Sequence, residues 1–305
     1  MSTMNKPLIS VGIPVCNGVE YLKQSLPSIL YQTYSNLEII ISDDKSDDGS
    51  YELLHKFAAK YNRINLIRQH ERIGYIKNFN YVLTNAKGEY FFWAAQDDLH
   101  DKEFTETLFN VMKNDPSISL AMCDYRNLHN KKLHKIYKTP STKCMTKTDS
   151  LKYFLQTHNL SLFYGFYRTN LLKQIGGYHM DSRYYFKSSD FLTIYKTLLV
   201  GRLGFVPHVL FYKRDTGLFT KEFYHLQTAS KEILTKHILR FALFPIHYVF
   251  DLVYGFFYLI QSDFDAGSKM QIAFQLIYCT VRLFVGYFQK SIKGIVTLSM
   301  RYIRL

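Results

Sequence analysis

Three times in its opening third the chain runs a short apolar segment straight into a polar cluster. ISVGIPV leads into Cys16-Asn17, LEIIIS into Asp43-Asp44, and YFFWAA into Gln96-Asp97-Asp98. Apolar runs this short, bounded by turn residues, read as buried strands. Leu8–Ile13, Leu37–Ser42, Ile64–Arg68, Glu89–Ala94 and Ser117–Asp124 form a set of such strands. Between them Glu20–Tyr31, Tyr51–Tyr61, Tyr75–Asn85 and Lys102–Met112 carry helical periodicity, the first with Leu22, Leu26, Ile29 and Leu30 on one face and Pro27 as a bend. Strands alternating with helices predict crossover units on a mostly parallel central sheet flanked by helices, an α/β fold.

Ligands of such sheets lie beyond the carboxyl ends of the strands, where the polar clusters fall. Neither a Gly-x-Gly-x-x-Gly fingerprint nor a P-loop follows the first strand, so dinucleotide and P-loop phosphate binding are not expected there. Adjacent aspartates repel unless a cation or a donor separates them. Asp97 and Asp98 suit a hard divalent ion such as Mg2+ or Mn2+, or a sugar, while Asp43-Asp44 suits a solvated turn equally well. Asp44 is placed to accept from a base or ribose. Arg72 and Lys77 flank Gly74 and offer charged donors to a phosphate, with surface solvation as the alternative. Arg214, after an expected strand at Val206–Tyr212, is a weaker candidate for the same task. Ser188, Ser189 and Asp190 precede an apolar helical segment and read as a helix N-terminus.

Three stretches together resemble family 2 glycosyltransferases of the GT-A fold: ISVGIPVCNGVEYLKQSLPSILYQTYSNLEIIISDDKSDDGS, NYVLTNAKGEYFFWAAQDD and GGYHMDSRYYFKSSDF, within residues 7–215. The resemblance implies an inverting transfer from a nucleotide-diphosphate sugar, UDP-linked in the first instance, with Mn2+ or Mg2+ as cofactor. It implies a nucleotide-sugar site formed by Pro14, Cys16, Asn17, Asp44, Arg72, Lys77 and Asp97, a metal held by Asp97 and Asp98, and Asp190 as the catalytic base. The sequence departs from the family at three places. Cys16 stands where a tyrosine is usual, Ala95 takes the first position of Asp-x-Asp, and Ser189 replaces the glutamate before Asp190. Either Asp97 or Asp98 is then the main metal ligand. A non-catalytic sugar-binding relative, and a nucleotidyltransferase acting on a sugar phosphate, are the competing readings; the second lacks a basic glycine-rich loop after the first strand.

The resemblance divides the chain into a catalytic domain over 1–230, with a nucleotide-sugar half (1–125) and an acceptor half (126–230), and a basic helical region over 231–305. Of 305 residues, 38 are Lys or Arg and 25 Asp or Glu, a net +13 that asks for an anionic partner. The excess is local. Arg126–Lys147 holds seven Lys/Arg and no Asp/Glu, in an expected edge hairpin and loop that suits an anionic acceptor, anionic lipid or plain solvation. Residues 231–305 hold nine Lys/Arg and four Asp/Glu within apolar helices over His237–Ile260 and Gln271–Arg304. Charges interrupting those helices favour association with an anionic membrane surface over a span, with a homo-oligomer interface or a helical cap as alternatives. No zinc-finger or helix-turn-helix pattern is present, and strand-end carboxylates would repel phosphate backbone, so nucleic acid is not an expected partner. Tyr164 or Tyr167 is a candidate to stack on a sugar, against ordinary core packing. His208 and His225 read as structural or exposed. The cysteines at 16, 123, 144 and 279 lack zinc spacing, and four in this length exclude a disulfide scaffold. With no apolar leader at its start, the chain is expected in the cytoplasm, peripheral at the inner face of the cell membrane. A lipid-linked or surface-glycan acceptor, as in lipopolysaccharide or capsule synthesis, follows from the resemblance alone.

Overall fold

The computed structural model describes residues 6–129, 132–138, 140, 145–179, 188–214 and 249–302. The first half alternates as expected: β1 (Ile9–Val15), α1 (Val19–Leu30), β2 (Leu37–Asp43), α2 (Ser50–Lys60), β3 (Ile64–Arg68), α3 (Tyr75–Thr84) and β4 (Tyr90–Trp93). Every residue of β1 and β4 is buried, which is why these strands read as unbroken apolar runs rather than alternating ones. Pro27 sits inside α1 without ending it.

The chain continues through β5 (Leu99–His100), α4 (Phe104–Lys113), β6 (Ile118–His129), β7 (Lys132–Tyr137), α5 (Lys147–Thr157), a 3-10 turn (Leu160–Tyr164), β8 (Phe166–Arg168), α6 (Thr169–Gln174), α7 (Ser188–Val200) and β9 (Arg202–Arg214). The sheet order is β3-β2-β1-β4-β8-β6-β9-β5, with β7 paired to β6. The expectation of a mostly parallel sheet is corrected here: the sheet is mixed. β3, β2, β1 and β4 run parallel, as do β6 and β9, but β8 lies antiparallel between β4 and β6, and β5 and β7 are antiparallel to their neighbours. The physical reason is β8. Three residues are too few to show a period, so neither the strand nor its direction leaves a pattern in the sequence.

The hairpin expected in the basic middle stretch is β6–β7. Beyond β9 the described chain resumes as a helix over residues 249–261, here α8, and then α9 (Ala266–Tyr302). Their reverse turn brings Gly255 against Leu276, where a Cβ would come within 2.6 Å of the leucine Cδ2, so the glycine sets the close approach of the two helices. Leu259, Ile272, Leu276 and Cys279 are buried there. Lys147 pairs with Asp263 at 2.5 Å and Lys152 donates to Gln271 at 2.6 Å, tying this helical pair to α5. No helix among the described residues is long and apolar enough to cross a membrane. The first part of the expected helix at His237–Ile260, and His225, Cys144 and the basic positions 131 and 143, lie outside the described residues. His208 is exposed on β9, while Cys123 and Cys279 are buried thiols, Cys123 pushed up to about 12 by burial.

Candidate active site

The ends of β1 and β2 are joined by short polar bonds that only their loop residues can make. Pro14 is buried in β1 opposite Ser42 of β2. Cys16 and Gln96 clasp each other: the Cys16 amide donates to Gln96 Oε1 at 2.9 Å, and Gln96 Nε2 donates to the Cys16 carbonyl at 3.1 Å. Partial burial raises the Cys16 thiol, Arg72 opposing and nearby carboxylates adding to the rise. Asn17 takes the left-handed conformation (φ 51), which Asn tolerates better than most residues. There its amide donates to Ser46 Oγ and its Oδ1 accepts from the Asp47 amide.

Asp44 is buried, and both its oxygens are engaged: Oδ1 accepts from the Ile73 amide at 2.6 Å and Oδ2 from the Gly74 amide at 3.0 Å. In this conformation it shapes the loop before α3. Asp43, fully buried, accepts from the Ser46 amide and lies 3.7 Å from Arg68 Nε, and its Oδ1 has no hydrogen-bond partner. Asn78 of α3 donates to the carbonyls of Val15 and Ser42, locking both strand ends to that helix. On the same rim Arg72 pairs with Asp47 at 3.1 Å, and Lys77 is exposed in the first turn of α3. The candidates from the first two strand ends are thus brought to one edge of the sheet.

The third strand end forms a separate acidic centre. Asp98 is 2 % exposed, and its Oδ1 accepts from the Arg214 amide at 2.7 Å. Burial pushes its carboxyl well above the ordinary range, and Asp97 adds to the rise against the pull of Lys213 and Arg214. Arg214 reaches back to α1, bonding Gln24 and lying over the Tyr21 ring. Asp190 lies within the first turn of α7 rather than ahead of it, and its Oδ1 accepts from the Tyr178 hydroxyl at 2.7 Å. Burial holds the Tyr164 phenol well above its usual range, and the charges of Asp190, Asp98 and Asp97 add to the rise.

Sequence reasoning missed Tyr178, and the structure explains how it is fixed. Asn80 grips its backbone from both sides, accepting from the Tyr178 amide at 2.9 Å and donating to its carbonyl at 2.8 Å. The preceding Gly177 has φ 63, and a Cβ there would meet Asn80 Oδ1 at 2.6 Å. The ring packs 4.7 Å from Phe163 and 5.3 Å from Phe79, beside the stacked Trp93–Phe163 pair. The usable signal was Gly-Gly-Tyr upstream of Asp190, since paired glycines mark a turn that re-aims the next side chain. Tyr167, by contrast, is fully buried with its hydroxyl spent on the Leu162 and Phe163 carbonyls, which is core packing.

The chemistry of the acidic centre fits a divalent cation. Its donors are carboxylate oxygens, hard ligands for Mg2+ or Mn2+, and two neighbouring carboxylates, one buried, are relieved by a positive charge between them. Among the described residues no group of three or more His, Cys, Asp and Glu side chains stands together. Asp97 and Asp98 would therefore hold such an ion jointly with oxygens from a ligand or water, as Mg2+ commonly is held.

The polar residues at the ends of β1, β2 and β4 thus lie at the carboxyl ends of parallel strands, the place where open α/β sheets take their ligands. The chain matches Glycosyl transferase family 2 over residues 10–176, more than half its length, and belongs to that family. An uncharacterized glycosyltransferase of Rickettsia typhi is 35% identical over 132 residues, 43% of this chain and 40% of that protein. Glycosyltransferase GlyG of Streptococcus pneumoniae is 37% identical over 106 residues, 35% of each chain. The matched region thus spans well under half of those relatives. In fold, the chain is similar to S. aureus TarS 1-349 in complex with UDP-GlcNAc (TM-score 0.68, 18% identity, 89% of this chain and 72% of that one). It is also similar to the mannosyltransferase PcManGT from Pyrobaculum calidifontis in complex with GDP-Man and Mn2+ (TM-score 0.57, 14% identity, 99% and 82%). The family match ends before Asp190, so the role of that residue rests on its surroundings and on the motif around it.

Proposed function

We propose that the protein is an inverting glycosyltransferase that moves a sugar from a nucleotide-diphosphate donor, UDP-linked as in the TarS complex, to a hydroxyl of a surface-glycan or lipid-linked acceptor. The observation that carries this is Asp190 held at 2.7 Å by the Tyr178 hydroxyl, together with the buried Asp98 beside Asp97, in a chain that matches Glycosyl transferase family 2. Pro14, Cys16, Asn17 and Asp44 line the nucleotide side, with Arg72 and Lys77 on its rim for the diphosphate. Asp97 and Asp98 would hold Mn2+ or Mg2+, which when bound neutralises the leaving diphosphate. The bond from the anomeric carbon to the diphosphate oxygen breaks while the acceptor oxygen bonds to the opposite face of that carbon. The acceptor proton passes to Asp190 and the nucleoside diphosphate leaves with the bonding pair. One carboxylate acting as base, with no second one acting as nucleophile, gives inversion. Residues 1–125 serve the donor and 126–230 the acceptor. Nucleoside diphosphate release should appear with one or two members of a nucleotide-sugar panel and should require Mn2+ or Mg2+. No release with any donor, together with no binding of any nucleoside diphosphate, overturns the reading.

Residues 231–305 are read as the attachment to an anionic membrane, at the inner face of the cell. What supports this is an outward apolar stripe on α9, Met270, Phe274, Ile277, Val281 and Phe284, at alternating spacings of four and three residues, with Phe274 66% exposed. In sequence the apolar spacing continues through Phe288, Ile292 and Ile295, with Lys290, Lys293 and Arg301 recurring among them. An apolar stripe with recurring Lys and Arg suits a helix lying in the headgroup plane, and α9's 37 residues extend about 55 Å. The full chain should sediment with phosphatidylglycerol vesicles and not with phosphatidylcholine vesicles, and Phe274→Glu with Phe284→Glu should release it. A dimer in solution that the same pair dissociates, without vesicle binding, assigns the stripe to a second copy and overturns the membrane reading.

A further inference from the structure

The basic hairpin is not used by the chemistry described above, yet it walls a groove that opens onto it. Between the β6–β7 hairpin, the end of α5, the 3-10 turn and the end of β9 lies a space of 720 Å³. Tyr125 and Tyr137, a cross-strand pair, form one wall with their rings parallel (3°) and 4.7 Å apart. The Tyr125 hydroxyl donates to Asn159 Oδ1 at 3.1 Å, which fixes the ring, and Tyr137 is 37% exposed at the mouth. Strand alternation puts Asn127 on the same side as Tyr125, and its Oδ1 is buried in the wall with no hydrogen-bond partner.

The electrostatics of this groove are one-sided. Lys138 lines its outer end, Lys213 and Arg214 its inner end, and no carboxylate lines it among the described residues. Lys213 lies over the Tyr164 ring, 5.3 Å from its centroid, and donates to Ser161 at 3.3 Å, while the Arg214 amide holds Asp98. The end of β9 therefore borders both the groove, through Lys213, and Asp98, through the Arg214 backbone amide. Flat aromatic faces beside hydrogen-bonding groups suit a sugar ring. A lysine on a concave wall that carries no carboxylate draws an anion, and hydrogen bonds to a charged group are the stronger kind.

We propose that this groove binds the acceptor, and that the acceptor is an anionic saccharide carrying a phosphate or carboxylate, its ring against the exposed Tyr137 and its anion held by Lys138. This rests on the glycosyltransferase reading for the word acceptor; binding of the anionic sugar itself does not. The test uses the full chain saturated with the nucleoside diphosphate it binds best. Glucose 6-phosphate, glucuronic acid and glucose are titrated by ligand-observed NMR. At least one anionic sugar should bind at least about tenfold more tightly than glucose, and Lys138→Ala should weaken it about tenfold, the scale of one charged hydrogen bond. Tyr137→Ser should weaken all three sugars, and both variants should leave nucleotide affinity unchanged. Because Lys138 and Tyr137 lie at the surface, melting temperature checks that both variants fold. Equal binding of glucose, or anionic binding untouched by Lys138→Ala, overturns the proposal. So does a parallel loss of nucleotide affinity, which would give Lys138 to the donor. Failure of the glycosyltransferase reading shows separately, as wild-type protein that binds no nucleoside diphosphate.

Discussion

Asp190→Asn is expected to lower sugar transfer by about 10²–10⁴-fold, the usual worth of a positioned general base, with the KM for the donor almost unchanged. The substitution is close to isosteric, and asparagine keeps an oxygen to accept from the Tyr178 hydroxyl at the place where Asp190 Oδ1 now accepts at 2.7 Å. Geometry is preserved while basicity is removed, so a loss confined to kcat speaks to proton removal rather than to folding. Tyr178→Phe supplies the companion measurement. It deletes one hydrogen bond and leaves the ring in its packing against Phe163 and Phe79, so the expected loss is smaller, about tenfold. Tyr178 is then a positioning residue, and its removal should shift the pH profile of kcat by freeing the Asp190 carboxylate from a donor. Unchanged turnover in Asp190→Asn would remove this residue as the base and move the search to Asp97 and Asp98.

Much of this arrangement was legible before any coordinates. Burial on both faces makes β1, β2 and β4 unbroken apolar runs, so their ends, and with them Asn17, Asp44 and Asp98, could be placed by eye. The mixed sheet could not, because β8 is three residues long and carries no pattern that shows its direction. Partnerships were also out of reach. Nothing in a linear string says that Asp44 spends both oxygens on the loop at 73–74, or that Gln96 clasps Cys16 from eighty residues away. The second case bears on the family pattern. Where Cys16 stands in place of the tyrosine usual before Asn17, Gln96 bonds the Cys16 backbone through both its amide atoms and so joins the ends of β1 and β4. Asp190 was legible as a helix start but not as a partner of Tyr178, since that contact depends on Asn80 and on the turn at Gly177, far apart in sequence.

Asp98→Asn should separate stability from activity. In the metal-free protein the Asp98 carboxyl is buried and pushed well above its ordinary value of 3.8, mainly by burial and then by Asp97. Its folded-state pKa is therefore raised relative to the unfolded chain. From about pH 4 upward the folded protein retains a proton that the unfolded chain gives up, so this group's contribution to stability is present at acid pH and is lost as pH rises toward the folded value. Asparagine resembles the protonated form, and its oxygen still accepts from the Arg214 amide, so the variant has no such loss. The difference in melting temperature, variant minus wild type, should grow in the variant's favour as pH rises from 4 to 7. The same substitution should cut transfer by about a hundredfold or more, because a carboxylate that would stabilise the departing diphosphate through a cation is gone. Saturating Mn2+ should raise the wild-type melting temperature at pH 7 and leave the variant's nearly unmoved, since binding to the folded state alone stabilises it. A flat difference curve would show that Asp98 is not a strained carboxylate. Equal stabilisation of both proteins by Mn2+ would make Asp97 the main ligand and Asp98 a structural residue held by β9.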